Sequence, residues 1–144
     1  MPRVVTDNDL STLIRKDLQK IRAKYHLSSD ITLMVPGKDW RASSPPVGWI
    51  CVYEDQLRVG LRFSLHPFIR VLLQFYQILL TQIVPNGIWL VIKFLLICGE
   101  HGVEPTMKLF RFYFQIRKAA QAPEYRTFQA CSNLKIQTSN NNFG

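Results

Sequence analysis

Histidine, cysteine and carboxylate side chains are the first candidates for chemistry, and their spacing argues against a catalytic or metal centre. Cys98 and His101 have the Cys-x-x-His spacing of half a zinc site, but no second pair in the sequence completes four ligands. Glu54 and Asp55 are adjacent, and on the extended backbone expected there their side chains diverge, which does not suit paired acid–base catalysis. The sequence also lacks a glycine-rich phosphate loop and a Gly-x-Ser-x-Gly nucleophile elbow. We therefore expect no catalytic residue, no metal and no cofactor.

The basic residues that could bind a polyanion lie on the two flanks of the chain. Residues 1–44 hold eight Lys or Arg and five Asp or Glu, and the excess is larger near the C-terminus. Residues 106–144 hold six Lys or Arg and one Glu, whereas residues 45–105 hold four basic and four acidic residues. Basic side chains that neutralise phosphates, beside aromatic rings that stack on bases, are typical of nucleic-acid surfaces. The candidates for phosphate contact are Lys108, Arg111, Arg117, Lys118 and Arg126.

A helix through residues 107–116 is expected to organise these groups. Helical spacing would place Lys108, Arg111, Gln115 and Lys118 on one side as a basic ridge, beside Phe110, Phe112, Tyr113 and Phe114. The simpler interpretation is that the four aromatic residues belong to the core and that the ridge is only a solvated face. A surplus of Lys and Arg is also common in proteins that bind no polyanion.

The composition describes a folded chain and excludes a cysteine-stapled scaffold. The chain has 144 residues, of which 47% are hydrophobic and 12% aromatic, and a formal net charge of +8. That is enough for one domain with a real core. Three widely spaced cysteines favour a reduced, intracellular protein, nuclear or cytoplasmic. The apolar stretch 68–98 is interrupted by polar residues and by Pro85-Asn86-Gly87, so we expect no membrane span.

The periodicities predict a mainly α fold, with a small α+β fold as the other reading, in a single domain over residues 1–144. An amphipathic helix is expected from Thr6 or Asn8 to Tyr25, within an N-terminal region 1–30. An extended connector, 31–66, contains two strand-like runs, 31–35 and 49–53. A three-helix apolar core follows over 67–118, with helices at 68–80, 87–100 and from 107 onward. The last region, 119–144, predicts a β-hairpin around Ser132-Asn133 and a frayed end.

Four short motifs in the middle of the chain occur in a fixed order: Gly60-Leu-Arg-Phe63, His66-Pro-Phe68, Pro85-Asn86 and Glu104-Pro-Thr106. Together with the run Pro45–Phe68, with 94–98 and with 109–114, they resemble the gypsy-type transposon family of plants, a transposase-like domain. Ser64 departs from the pattern, which usually has Pro there. The family continues into a further aromatic and basic stretch after Asn140, so the resemblance implies a copy that is incomplete at its C-terminus.

The resemblance implies an origin in a retrotransposon, and it assigns no catalytic residue. A strand-transfer enzyme needs carboxylates that hold divalent ions on a ribonuclease-H-like sheet, and the sequence does not predict that sheet. We expect a non-enzymatic, gag-like module that associates with RNA or DNA and has neither a membrane nor a small-molecule partner. The alternatives are a protein–protein interaction or self-assembly domain and an inert remnant. In the interaction reading, Leu79, Leu80 and Trp89 would be exposed and would bind a second copy or the missing continuation.

Overall fold

The computed structural model describes residues 3–6, 15–35, 41 and 44–131, and within them five helices and two sheets. The helices are α1 (Arg15–Lys24), α2 (Glu54–Arg58), α3 (Pro67–Tyr76), α4 (Pro85–Glu100) and α5 (Met107–Tyr113). The strands are β1 (Arg3–Thr6), β2 (Thr32–Met34), β3 (Trp49–Val52), β4 (Phe114–Ala119) and β5 (Ala122–Ala130). A 3₁₀ turn, Leu80–Gln82, connects α3 to α4.

The prediction of a mainly α fold is wrong, because the described residues are 45% helical and 23% strand. One sheet is parallel, with the order β2-β1-β3, and the other is the antiparallel pair β4-β5. The two strand-like runs of the connector are confirmed as β2 and β3, but the partner between them is β1. Pairing between segments so far apart leaves no local signature in the sequence, which is why it was not predicted.

The N-terminal prediction is also corrected. Arg3–Thr6 is a strand, so the first helix does not begin at Thr6, and residues 7–14 lie outside the described residues. The connector contains a helix that was not predicted, α2, which follows β3 directly.

The third core helix ends earlier than expected, and this changes the C-terminal part of the fold. Helix α5 stops at Tyr113, and Phe114 already has the extended dihedral angles φ −132° and ψ 145°. From there β4 runs into a turn at Ala120-Gln121 and returns as β5. The first arm of the hairpin predicted around Ser132-Asn133 is a strand, as part of β5, but it pairs with β4; the predicted turn and second arm lie outside the described residues. The alternation of Phe114, Ile116 and polar neighbours suits a half-buried strand, and this period overrides the helical one.

Helices α3 and α4 confirm the predicted apolar core, although α3 ends at Tyr76 rather than at residue 80. Pro67 and Pro85 both stand at the start of their helices, where the missing N–H costs nothing. Gly102 ends α4 with the predicted left-handed conformation, φ +63°. The centre of the core is an aromatic cluster that joins α3, α4, α5 and the hairpin, with ring centroids 5.1–5.7 Å from the Phe110 ring: Phe68, Phe94, Phe114 and Phe128.

The hairpin is held against the start of α4. The Val84 backbone N–H donates to the Arg126 carbonyl at 3.0 Å, and Ile83 forms a parallel bridge with Arg126. Gly87 allows this approach, since a Cβ there would lie 2.9 Å from Ile83 Cγ2 and 3.3 Å from Thr127 Cα. At the other end, the Cys131 N–H donates to the Tyr113 carbonyl at 2.7 Å. These hydrogen bonds fix the position of the hairpin relative to α4 and α5.

Candidate nucleic-acid interface

The five basic candidates lie on one helix and two strands rather than on one ridge. Lys108 and Arg111 are on α5, Arg117 and Lys118 are on β4, and Arg126 is on β5. The predicted helical ridge is wrong beyond Arg111, because Gln115 and Lys118 belong to a strand. Lys108, Arg111, Arg117 and Lys118 are exposed, and Arg126 is half-buried.

The hairpin register determines how its three cations are arranged. Lys118 pairs directly with Arg126, and Arg117 pairs with Thr127. Directly opposed residues share a face of the sheet and successive residues alternate, so Lys118 and Arg126 share one face and Arg117 is on the other. Two like charges directly opposite one another destabilise a strand pair. The hairpin thus carries an electrostatic cost at Lys118 and Arg126.

Hydrogen bonds hold two of these side chains in place. Arg126 Nη1 donates to the carbonyls of Pro123, at 2.7 Å, and Tyr125, at 3.0 Å. Arg117 Nη2 donates to Gln115 Oε1 at 2.9 Å on the outer part of β4. The Arg126 guanidinium therefore binds carbonyls near the start of its own strand, β5, while its charge stays uncompensated.

No carboxylate compensates these cations in the part of the chain that the structure describes. The salt bridges found there all involve Arg58, which pairs with Glu54 and with Asp55 on α2. Glu124 is the one acidic residue between 106 and 144, and it is not within ion-pair distance of any of the five cations. The segment from α5 to β5 therefore presents a basic surface that includes both faces of the hairpin and has no internal neutralisation.

Exposed rings accompany the basic residues at one end of this surface. Phe112 is 55% exposed and Phe75, at the end of α3, is 48% exposed. The Arg111 guanidinium carbon lies 5.1 Å from the Phe75 ring centroid, which places a cation against an accessible ring. Phe110 is fully buried and Tyr113 and Phe114 are half-buried, so the interpretation of the aromatic group as core holds for these three and not for Phe112.

Phe75 was not a sequence candidate. An aromatic residue within an apolar helix is normally buried, and no signal in the sequence separates Phe75 from the core phenylalanines. Its exposure follows from the tertiary structure, since α3 packs through Phe68, Ile69 and Leu72.

The three interaction candidates are placed differently from one another. Leu79 is 41% exposed and Trp89 is 43% exposed, whereas Leu80 is only 3% exposed. The expectation that Leu80 is exposed is wrong, because Leu80 begins the 3₁₀ turn and is buried there. The Leu80 carbonyl accepts a hydrogen bond from Gln56 Nε2 at 2.7 Å, which holds the turn against the core.

The carboxylates Glu54 and Asp55 lie in the first turn of α2, not on an extended strand as expected. Glu54 Oε1 accepts a hydrogen bond from the Tyr25 hydroxyl at 3.0 Å, and both carboxylates pair with Arg58. The hydrogen bond from Tyr25 joins α2 to the residue that follows α1, and the ion pairs with Arg58 lie within α2. Within the described residues, no group of three or more His, Cys, Asp or Glu side chains is placed to hold a metal ion.

Cys98 is buried on α4 and His101 is exposed just beyond it. Burial raises the pKa of the Cys98 thiol, which keeps the thiol in its neutral form.

A depression of about 500 Å³ between α1 and β2 is lined by apolar residues and by Gln19 and Arg22. Arg22 Nη2 is already committed there, donating to the Ile31 carbonyl at 2.7 Å. Among the described helices, none has the length and apolar character needed to cross a bilayer.

Comparison with known proteins finds similarity to a transposon family over the middle of the chain. Residues 50–118 match the family model described as "Putative gypsy type transposon", which confirms the resemblance seen in the motifs. A protein of Arabidopsis thaliana, named as uncharacterized and chloroplastic, is 29% identical over 115 residues. The aligned segment is 78% of this chain and 14% of that protein. No solved structure matches the chain.

Proposed function

Because residues 50–118 match a gypsy-type transposon-related domain, we propose that this domain is a non-enzymatic, gag-like module that binds single-stranded nucleic acid. The observation that carries the proposal is the uncompensated basic surface of α5 and the β4-β5 hairpin, with exposed rings beside it. Four of its five cations lie within the matched segment, and Arg126 lies outside it.

Each part of this surface has a physical role in the proposal. Lys108, Arg117 and Lys118 would neutralise phosphates, because their charges are exposed and have no acidic partner. Phe75 and Phe112 would stack on bases, with Arg111 adding a cation beside the Phe75 ring. Stacking needs bases that are not already paired, so the surface favours single strands over duplexes.

The like-charge pair on the hairpin is a second support. Lys118 opposite Arg126 costs stability, and a carboxylate at either position would remove that cost. Two cations at these positions suit a surface that binds an anionic ligand, because the bound anion would offset their mutual repulsion. The carboxylates with catalytic potential, Glu54 and Asp55, are engaged by Tyr25 and Arg58, which favours a role through contacts rather than through chemistry.

The test is fluorescence anisotropy of a labelled single-stranded RNA, a single-stranded DNA and a DNA duplex, at low and at physiological salt. The variant Arg117→Glu/Lys118→Glu reverses two charges on β4. The control Lys20→Glu/Arg70→Glu makes the same change in net charge at exposed positions of α1 and α3. A cooperative thermal melt of every variant shows that binding is measured on folded protein.

We expect the wild type to bind single strands more tightly than the duplex and to lose affinity as salt rises. The β4 variant should lose at least tenfold in affinity, about 1.4 kcal/mol, and the control much less. Failure of the folded wild type to bind at low salt would overturn the proposal. Equal losses in the two variants would reduce it to a non-specific effect of net charge.

A further inference from the structure

Helix α4 has an outward stripe that no element of the described chain covers. Its buried residues, Ile88, Val91, Phe94 and Cys98, face the core. At 100° per residue, the opposite side carries Trp89, Lys93, Leu96 and Glu100. Trp89 is 43% exposed and Leu96 is 63% exposed, and Ile97 beside them is 41% exposed. Exposed apolar residues grouped on one helix face are typical of interaction surfaces.

The charges on this stripe are arranged with opposite signs on either side of its apolar centre. Lys93 lies before Leu96-Ile97 and Glu100 after them, at nearly equal distances along the helix. Neither charge has an ion-pair partner in the described chain. The Lys93 ammonium lies 4.6 Å from the Trp89 ring centroid, which keeps the lysine on the stripe.

This arrangement is self-complementary in one orientation only. When two copies of α4 lie antiparallel about a two-fold axis between Leu96 and Ile97, each Lys93 faces Glu100 of the other copy. The same operation brings Leu96 and Ile97 of both copies together, as an isologous contact requires. A parallel arrangement would instead oppose Lys93 to Lys93 and Glu100 to Glu100.

We propose that two copies of this chain associate through the outward stripe of α4, packed antiparallel, with paired Lys93–Glu100 contacts on both sides of a Leu96–Ile97 centre. Val103, 46% exposed just beyond α4, lies at the end of the helix where Trp89 of the second copy would arrive. The contact involves neither α5 nor the hairpin, so it is independent of the nucleic-acid surface.

The experiment measures the oligomeric state of the full chain by sedimentation velocity over a range of protein concentrations, without nucleic acid. Leu96→Glu places two carboxylates at the centre of the contact. Val71→Glu is the matched control, because Val71 is 49% exposed on α3. Lys93→Glu and Glu100→Lys each replace opposite charges by like ones, and Lys93→Glu/Glu100→Lys restores the pairing with the signs exchanged. A thermal melt shows that each variant is folded.

We expect a monomer–dimer equilibrium for the wild type and for Val71→Glu, and a monomer for Leu96→Glu. Each single charge exchange changes two symmetry-related pairs and should raise the dissociation constant about tenfold, and the double exchange should return it to near the wild-type value. A wild type that is monomeric at every concentration overturns the proposal. A dimer that Leu96→Glu does not dissociate, or in which the double exchange fails to rescue the singles, overturns the antiparallel α4 contact.

Discussion

Gln56 is the buried polar side chain that joins α2 to the turn before α4. It is fully buried, and its Nε2 donates to the carbonyls of Leu80 at 2.7 Å and Ile83 at 3.0 Å. Its Oε1 accepts from the Tyr53 N–H at 3.0 Å. Because Ile83-Val84 in turn pairs with β5, this one side chain supports the segment on which the hairpin rests.

Replacing Gln56 by Leu should therefore be costly despite the similar size. The substitution leaves two buried carbonyls without their partner, and we expect the free energy of unfolding to fall by about 3 kcal/mol. Urea denaturation measures this loss, with Gln74→Leu, at an exposed position of α3, as the control. A change in Gln56→Leu no larger than in the control would show that the hydrogen bonds do not support the junction.

The buried Cys98 and the half-buried Tyr76 make the stability of the fold sensitive to alkaline pH. Burial raises the pKa of the Cys98 thiol and is the main cause of the raised pKa of Tyr76. A group whose pKa is higher in the folded than in the unfolded state contributes stability below its unfolded pKa and loses it as pH rises through the folded value. Stability should therefore decrease as pH rises above the usual thiol range.

The contribution of Cys98 can be separated from the background by substitution. Urea denaturation at neutral and at alkaline pH should show a smaller loss of stability in Cys98→Ala than in the wild type. Val91→Ala, at another buried position of α4, removes core packing but no ionisable group; it is the control and should keep the full pH dependence. An unchanged pH dependence in Cys98→Ala would contradict the assignment to this thiol.

At the scale of elements, one substitution on the β4-β5 hairpin should raise the stability of the fold and weaken ligand binding. Lys118→Glu would place a carboxylate opposite Arg126 and replace repulsion by attraction. We expect the variant to be more stable by about 0.5 kcal/mol and yet to bind single-stranded RNA more weakly. Thermal denaturation and anisotropy on the same sample measure both quantities. A variant that is less stable than the wild type would contradict the register-based argument.

The elements that the sequence predicted well are those whose signals are local. Pro67 and Pro85 mark the starts of α3 and α4, and continuous apolar residues follow each of them. Strands β2 and β3 were predicted as short runs, but their parallel pairing with β1 depends on contacts between distant segments. The end of α5 was missed because residues 107–116 suit a helix and a strand about equally, and packing of the hairpin against α4 decides between them.

In the candidate site, too, the features with a local sequence signal were predicted and those set by tertiary packing were not. The five cations were identified from composition, since charge is visible in a sequence whatever the fold. Their division between α5 and the hairpin, and the exposure of Phe75, result from tertiary packing and have no local signal. Gln56 was not identified for the same reason, because nothing nearby in the sequence shows which carbonyls it will meet.

At the scale of the whole molecule, charge and apolar surface are segregated. A group of basic residues without acidic partners lies on α5 and the hairpin, and an exposed apolar stripe with one Lys and one Glu lies on the outer side of α4. A polyanion would be attracted to the first surface, and a second copy fits the second. The two proposed contacts can therefore be tested separately, by variants that do not overlap.

The most direct test of nucleic-acid binding is the salt dependence of affinity for single-stranded RNA, compared between the wild type and Arg117→Ala/Lys118→Ala. Each phosphate contact contributes about 0.7 to the slope of log affinity against log salt concentration on a single strand. If both side chains contact phosphates, the variant's slope should be shallower by about 1.4. Lys20→Ala/Arg70→Ala should keep the wild-type slope. A slope that the β4 substitutions leave unchanged would contradict the assignment of the hairpin as the phosphate-binding surface.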